Sequence, residues 1–219
     1  MTTTSTETTR AHSRATGVLL LASAALSVLG MAHHPTGHGH GRTLLESLAS
    51  IGPMANLVHA LLLAIMLVQL IGQAGLATHL GWNRLLVQGA FIAQAIGGVA
   101  LTGAAAINGF ATAFVAGRLV TGGYVQPDQF KPVLWVLAGQ AQAWAQIGTA
   151  AWAIALGLWG TSVWSRHRPL ALAALPLVLV PLAGGLGLIP LDVIGFGAVV
   201  VAQALWAGAA GLLLWRGRL

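Results

Sequence analysis

Residues 57–70 read LVHALLLAIMLVQL, a run in which His59 and Gln69 are the only polar side chains. The run belongs to a longer apolar segment, 51–71, that contains no Asp, Glu, Lys or Arg. An α-helix needs about 20 predominantly apolar residues to cross the hydrocarbon core of a bilayer. The segment therefore predicts a membrane-spanning helix.

Five further apolar segments of similar length lie on either side of it. Their bounds are 16–32, 85–107, 133–161, 170–189 and 193–215. All are continuous stretches of Leu, Ala, Val and Gly, unlike the alternating strands of an outer-membrane barrel. The whole 219-residue chain is 57% hydrophobic and 6% charged, which excludes a water-soluble fold and a disordered chain. We predict an all-α, polytopic transmembrane helical bundle of about six spans, with a disordered cytoplasmic tail over 1–15 and one transmembrane domain over 16–219.

The basic residues indicate how the helices are oriented. Seven of the ten Lys and Arg residues fall on the side of the two termini, namely Arg10, Arg14, Arg84, Arg166, Arg168, Arg216 and Arg218. The other three, Arg42, Arg118 and Lys131, fall on the opposite side. Because cytoplasmic loops carry an excess of Lys and Arg, both termini are predicted to be cytoplasmic. The basic residues form no stripe that would follow the phosphates of a nucleic acid, so we do not expect nucleic-acid binding. The expected partners are the lipid bilayer and either a second copy of this chain or another subunit of a membrane complex.

The first apolar segment has an alternative interpretation. A basic start, a short apolar stretch and the small residues of Gly30-Met31-Ala32 also describe a secretory signal peptide. Cleavage there would leave five spans and make His33 the amino terminus. The free amino group and the imidazole ring of His33 could then bind the same copper ion.

Residues 32–41, AHHPTGHGHG, contain half of the chain's eight histidines. The four candidate metal ligands are His33, His34, His38 and His40. Imidazoles on a Gly-rich backbone can converge on Cu(II), Ni(II) or Zn(II), and the absence of Cys disfavours soft Cu(I). The orientation above places this loop outside the cytoplasm, beside a short surface helix expected within 108–131. Two other interpretations are a solvated connector and a pH-responsive loop.

His59 lies inside the second span, where a titratable ring is costly unless it faces the bundle interior. Polar residues at helical spacing extend this side of the helix and recur on other spans. We predict an interior polar lining formed by Asn56, His59, Gln94, Gln142 and Gln146. The lining is interpreted either as a path for a ligand or as interhelical hydrogen bonding. Haem is not expected, because one interior histidine cannot supply a facing pair of axial ligands.

The sequence favours no catalytic residues. It contains no HExxH, GxSxG or Walker motif in a usable context, and its four acids lie outside the centres of the spans. The leading functional hypothesis is binding or transport of a transition metal through the His-rich loop. A structural or accessory subunit without a ligand is the alternative. A metal-dependent membrane enzyme using Glu46 or Asp128 is a lesser one.

Several short motifs resemble a group of bacterial six-span membrane proteins of unknown activity. The residues that carry the resemblance are Met31-Ala-His-His-Pro35, Leu57-Val-His59, Leu191-Asp192-Val193 and Ala202-Gln-Ala-Leu-Trp206. The pieces are short and scattered over most of the chain. The resemblance implies a location in the bacterial inner membrane and transfers no functional residue.

Overall fold

The computed structural model describes residues 3–35, 44–122 and 130–219. Within these ranges all regular structure is helical, so the predicted all-α class is confirmed for them. The helices in chain order are α1 Thr3–Ala32, α2 Leu44–Leu80, α3 Leu85–Ala105, α4 Thr112–Thr121, α5 Lys131–Val163, α6 Arg168–Gly185 and α7 Val193–Trp215. A π-helical segment, Ala106–Ala111, joins α3 to α4 without a break.

Most of these helices have the length and composition of membrane-spanning helices. In the described part of the chain, five segments are long and apolar enough to cross a bilayer: Arg10–Ala32, Leu45–Leu80, Leu85–Thr121, Arg168–Gly185 and Val193–Trp215. The remaining long helix, α5, has 33 residues, but the glutamines in its first half make it less apolar. Large apolar side chains cover the outer surface, including Leu85 at 81% exposure and Ile194 at 83%. Such a surface suits hydrocarbon better than water.

Most of the residues predicted as a disordered tail, 1–15, belong to α1. Helix α1 begins at Thr3 and continues without interruption into the first apolar segment. Ser13 and Thr16 are buried against α2, where Ser13 Oγ lies 3.1 Å from His79 Nδ1. Tertiary contacts of this kind stabilise a helix that Thr and Ser do not favour by their own propensity.

Two helices also extend beyond their predicted bounds. Helix α2 has 37 residues, and at 1.5 Å per residue it is about 55 Å long, well beyond the hydrocarbon core of about 30 Å. The predicted third span ends at residue 107, but the π-helical segment carries the helix on to Thr121. The expected surface helix is thus the end of a long helix, and α4 packs against α2.

Small residues allow close approach of the helices at three interfaces. A Cβ atom built on Gly17 would be 2.6 Å from the Gly211 carbonyl oxygen, so α1 and α7 approach backbone to backbone. Gly97 of α3 and Gly148 of α5 meet in the same way, with 2.9 Å from a built Gly97 Cβ to the Gly148 oxygen. Gly185 places α6 against α5. Glycine at such crossings is the usual device for packing membrane helices.

Candidate metal site

The turn after α1 brings one histidine of the loop next to the histidine of α2. His34 Nε2 lies 3.4 Å from His59 Nε2, and the ring centroids are 4.9 Å apart with an interplanar angle of 75°. His59 is buried, with 6% of its surface exposed, and His34 is partly buried. Two side chains that are 25 positions apart in the sequence thus meet inside the bundle.

A backbone carbonyl fixes the tautomer of each ring. His59 Nδ1–H donates to the Ala55 carbonyl oxygen at 2.8 Å, and His34 Nδ1–H donates to the Pro35 carbonyl oxygen at 3.1 Å. Because a carbonyl oxygen only accepts hydrogen bonds, Nδ1 carries the proton in both neutral rings. Both Nε2 atoms then present lone pairs to each other. Facing lone pairs repel unless a proton or a metal ion lies between them.

The π-helical segment Ala106–Ala111 forms one wall of the histidine site. Its wider turn is closed by Thr112, whose hydroxyl donates to the Ile107 carbonyl oxygen at 2.9 Å. Within the segment, a Cβ atom built on Gly109 would be 2.5 Å from His59 Cβ and 2.8 Å from His59 Nδ1. Only glycine fits at this position. π-Helical turns inside α-helices are frequent at functional sites.

The histidine pair lines a cavity of about 280 Å³ that is bounded by residues of α1, α2, α3, α5 and α7. Most of the lining side chains are apolar. Besides the histidines, the polar lining residues are Ser27, Gln69, Asn108, Asp192 and Gln203. Asp192 Oδ1 also accepts the backbone N–H groups of Ile194 and Gly195, at 3.0 and 2.8 Å, and so caps the amino end of α7.

The separation of the two Nε2 atoms fits a single transition-metal ion. With metal–nitrogen bonds of about 2.0–2.1 Å, a 3.4 Å separation corresponds to an angle of about 110° at the ion. This is close to the tetrahedral angle. The two Nδ1–H bonds to carbonyl oxygens are the contacts that metal-binding histidines usually make with their second nitrogen.

The described residues provide two nitrogen ligands and no group of three. Across 3–35, 44–122 and 130–219, no His, Asp or Glu side chain joins the pair to complete a three-residue cluster. A third ligand must therefore come from another residue type, from water, or from the chain outside these ranges. The pair alone is an incomplete metal site.

The environment of His34 favours its neutral form. Partial burial lowers the pKa of His34 below its usual value of 6.5, the nearby His59 lowers it further, and the hydrogen bond to Pro35 opposes both. A metal ion binds the neutral imidazole. At neutral pH, His34 can therefore bind an ion without first releasing a proton.

The structure separates the four loop histidines that the sequence groups together. His34 joins His59 at the cavity. His33 is exposed, and its Nδ1–H donates to the Leu29 carbonyl oxygen at 2.9 Å. His38 and His40 lie outside the described residues. As ligands, these two stay predictions.

The predicted interior lining is divided among four environments. His59 lies at the cavity, and Gln94 is buried beside a smaller cavity of about 170 Å³, where its Oε1 has no hydrogen-bond partner among the described residues. Asn56 is exposed on α2. Gln142 and Gln146 are partly buried on α5 and do not line the larger cavity. The reason is that α5 packs mainly against α3 and α6, so its polar stripe does not meet α2.

Other residues line the cavity without having been predicted as site residues. Gln69 is reached from His59 along α2 by steps of four, three and three residues, and this helical spacing is a usable signal. Met31, three positions before His34, reads in the sequence as part of a cleavage motif. From the sequence, Asp192 is interpreted as a helix cap. In the structure it both caps the amino end of α7 and lines the cavity.

Comparisons with protein-family models, curated proteins and solved structures found no match. The assignment of function therefore depends on the residues and geometry of the chain itself. The cavity with its histidine pair is the feature on which that assignment is built.

Proposed function

We propose that this chain is a multi-pass membrane protein that binds a transition-metal ion through His34 and His59. The observation that carries the proposal is the 3.4 Å separation of two Nε2 atoms whose Nδ1–H groups are both bonded to carbonyl oxygens. Copper, nickel and zinc are the candidate ions, because imidazole suits all three. The site differs from the loop predicted from sequence in that half of it belongs to α2.

The distribution of charged and aromatic residues supports a membrane location. At the end of the bundle that carries both termini, the indoles of Trp82, Trp164 and Trp215 are about half exposed, at 45%, 47% and 48%. Each is within two positions of an arginine in the sequence. Indoles and basic residues at the same depth along the membrane normal are typical of the interface between lipid and cytoplasm. In the proposed arrangement this is the cytoplasmic face of a bacterial inner membrane, and the histidine pair lies near the opposite face.

The packing between the cavity and the end of the bundle that carries the termini favours binding of an ion over its conduction across the membrane. Between the cavity and the end that carries the termini, the bundle contains fully buried apolar side chains, among them Leu76, Val87 and Trp159, each at most 1% exposed. A hydrated ion could not cross this layer without separation of the helices. The proposed activity is therefore reversible binding at one face of the membrane.

A structural or accessory subunit is the second candidate function. Gln203 Nε2 on α7 donates to the Trp152 carbonyl oxygen on α5 at 3.1 Å, which is the kind of bond expected of polar residues that only join helices. Under this alternative the histidine pair shares a proton and binds no metal. The lesser alternative, a metal-dependent enzyme, stays a prediction, since Asp128 lies outside the described residues.

Isothermal titration of detergent-purified protein with Cu(II), Ni(II) and Zn(II) tests the proposal. We expect one ion per chain, and we expect His34→Ala and His59→Ala each to abolish this binding. The matched control is His33→Ala, which changes an adjacent exposed histidine that does not line the cavity. It should bind as tightly as the wild type.

The same titration distinguishes the cavity site from a site formed by the loop alone. A His33, His38 and His40 triple alanine variant retains both members of the pair. If the triple variant still binds the metal ion, the cavity site is favoured. If the triple variant loses binding while His59→Ala binds as tightly as the wild type, the cavity site is refuted. If folded wild-type protein binds none of these three ions and also does not bind Cu(I) under reducing conditions, the accessory-subunit alternative is favoured.

A further inference from the structure

Met31 adds a thioether to the cavity that the histidine pair lines. It lies near the end of α1, and the turn that follows is closed by the His34 backbone N–H, which donates to the Met31 carbonyl oxygen at 3.1 Å. Its side chain lines the same cavity and is 8% exposed. The methyl carbon lies 3.9 Å from the position of a Cβ atom built on Gly197 of α7. The thioether therefore reaches from α1 toward α7 along the cavity wall.

Met66 lines the same cavity but is too distant to share the ion. It follows His59 by seven positions on α2, which separates the two residues by about 10 Å along the helix axis. A ligand sulfur must lie within about 2.3 Å of a bound ion. Met31, three positions before His34 and on the wall of the same cavity, is therefore the better candidate for a thioether ligand, and Met66 provides a matched comparison.

The charge of the cavity favours a monovalent ion. Among the described lining residues, Asp192 is the only one with a carboxylate, and one of its oxygens already accepts two backbone N–H bonds. Two neutral imidazoles and a thioether bring no negative charge. Since the cost of transferring an ion from water into an apolar environment rises with the square of its charge, a monovalent ion has about a quarter of the cost of a divalent one.

From these observations we infer that the site selects soft Cu(I), bound by His34, His59 and the sulfur of Met31. The inference rests on the proposed function and specifies its ion. Thioether ligands favour Cu(I), whereas zinc is bound through nitrogen, oxygen and thiolate ligands. The absence of cysteine, which by itself disfavours Cu(I), is offset by this methionine.

Competition with a chromophoric Cu(I) chelator under anaerobic reducing conditions tests the inference, with Ag(I) as a redox-inert probe and Zn(II) as the divalent comparison. Met31→Leu should weaken Cu(I) and Ag(I) binding by at least about tenfold and leave Zn(II) affinity within about twofold. Met66→Leu should change none of them. Met and Leu have similar volumes and exchange readily in packed interiors, and thermal unfolding verifies that both variants are folded.

X-ray absorption at the copper edge provides a second measurement. Copper bound to the wild type and to Met66→Leu should show one sulfur neighbour, and copper bound to Met31→Leu should show only nitrogen or oxygen. Unchanged Cu(I) affinity and no sulfur neighbour in the wild type would overturn the inference while leaving the proposed function intact. If His34→Ala also binds every ion as tightly as the wild type, the proposed function fails as well.

Discussion

Replacement of Gly109 by alanine examines whether the π-helical segment positions the histidine pair. The added Cβ would lie 2.5 Å from His59 Cβ, whereas ordinary van der Waals contact begins at 3.4 Å. His59 or the π-helical segment must then move by at least about 0.9 Å, because the atoms that the new Cβ would meet are the Cβ and ring atoms of His59 and not the free end of a flexible side chain. Two bonds of about 2.05 Å cannot bridge nitrogen atoms more than about 4.1 Å apart. The present separation of 3.4 Å leaves little tolerance for such a movement.

The expected effects of Gly109→Ala on stability and on metal binding have different sizes. Overpacking costs about 1–3 kcal/mol, and replacing a helical glycine by alanine returns about 1 kcal/mol, so the net loss of stability is about 0–2 kcal/mol. Metal affinity should fall by about 10–100-fold, the range for disturbed support of a ligating histidine. Titration of the detergent-purified variant gives the affinity, and thermal unfolding without metal gives the stability.

Gly117→Ala on the adjoining α4 is the matched control. A Cβ atom built on Gly117 has no neighbour within 4 Å among the residues that the structure describes, so the change should leave metal affinity unaltered and raise stability by up to about 1 kcal/mol. The reasoning is refuted if folded Gly109→Ala binds metal as tightly as the wild type. It is also refuted if Gly117→Ala weakens binding to the same extent, because the effect would then not depend on contact with His59.

Three further predictions concern other parts of the chain. Gly17→Leu should prevent the close approach of α1 and α7 and lower the midpoint of thermal unfolding, whereas Gly139→Leu, in open space, should not; equal effects would contradict the packing argument. Asp192→Ala should cost about 0.5–2 kcal/mol through loss of the α7 cap, and Asp192→Asn should restore most of it in the same measurement. On acidification protons compete with the metal ion for the His34 ring, so the midpoint of the fall in metal affinity that this competition causes should lie below pH 6.5, and a midpoint above pH 6.5 would be inconsistent with the lowered pKa of this group.

The sequence predicted the helices far better than their ends. The bounds of α7, Val193–Trp215, agree with the prediction because Asp192 signals the start and a basic sequence signals the end. The end of the third span was misplaced because Asn108 and Gly109 are typical of a turn, yet here they lie in a π-helical segment that continues the helix to Thr121. No local signal marks a π-helical turn, since its stability depends on the packing of Gly109 against another helix.

The candidate site was predictable only in part, for a related reason. His34 and His59 were both singled out, the first as a loop ligand and the second as an isolated interior residue. Their meeting depends on how α1 and α2 pack and on the conformation of the turn after Ala32. The glutamines of α5 were predicted to face the same interior, but the helix presents them elsewhere. Periodicity identifies a face of a helix and does not identify its neighbour.

By itself, the sequence determined that this chain is helical, apolar and suited to a membrane, because hydrophobicity and the length of apolar segments are local properties that a bilayer imposes on any spanning helix. It also determined which residue types were available for chemistry: eight histidines, four methionines and no cysteine. Only the tertiary structure decided which of them meet. Nε2 atoms 3.4 Å apart, with tautomers fixed by carbonyl oxygens, result from contacts between helices, and such contacts depend on the three-dimensional packing of small residues rather than on spacing along the chain.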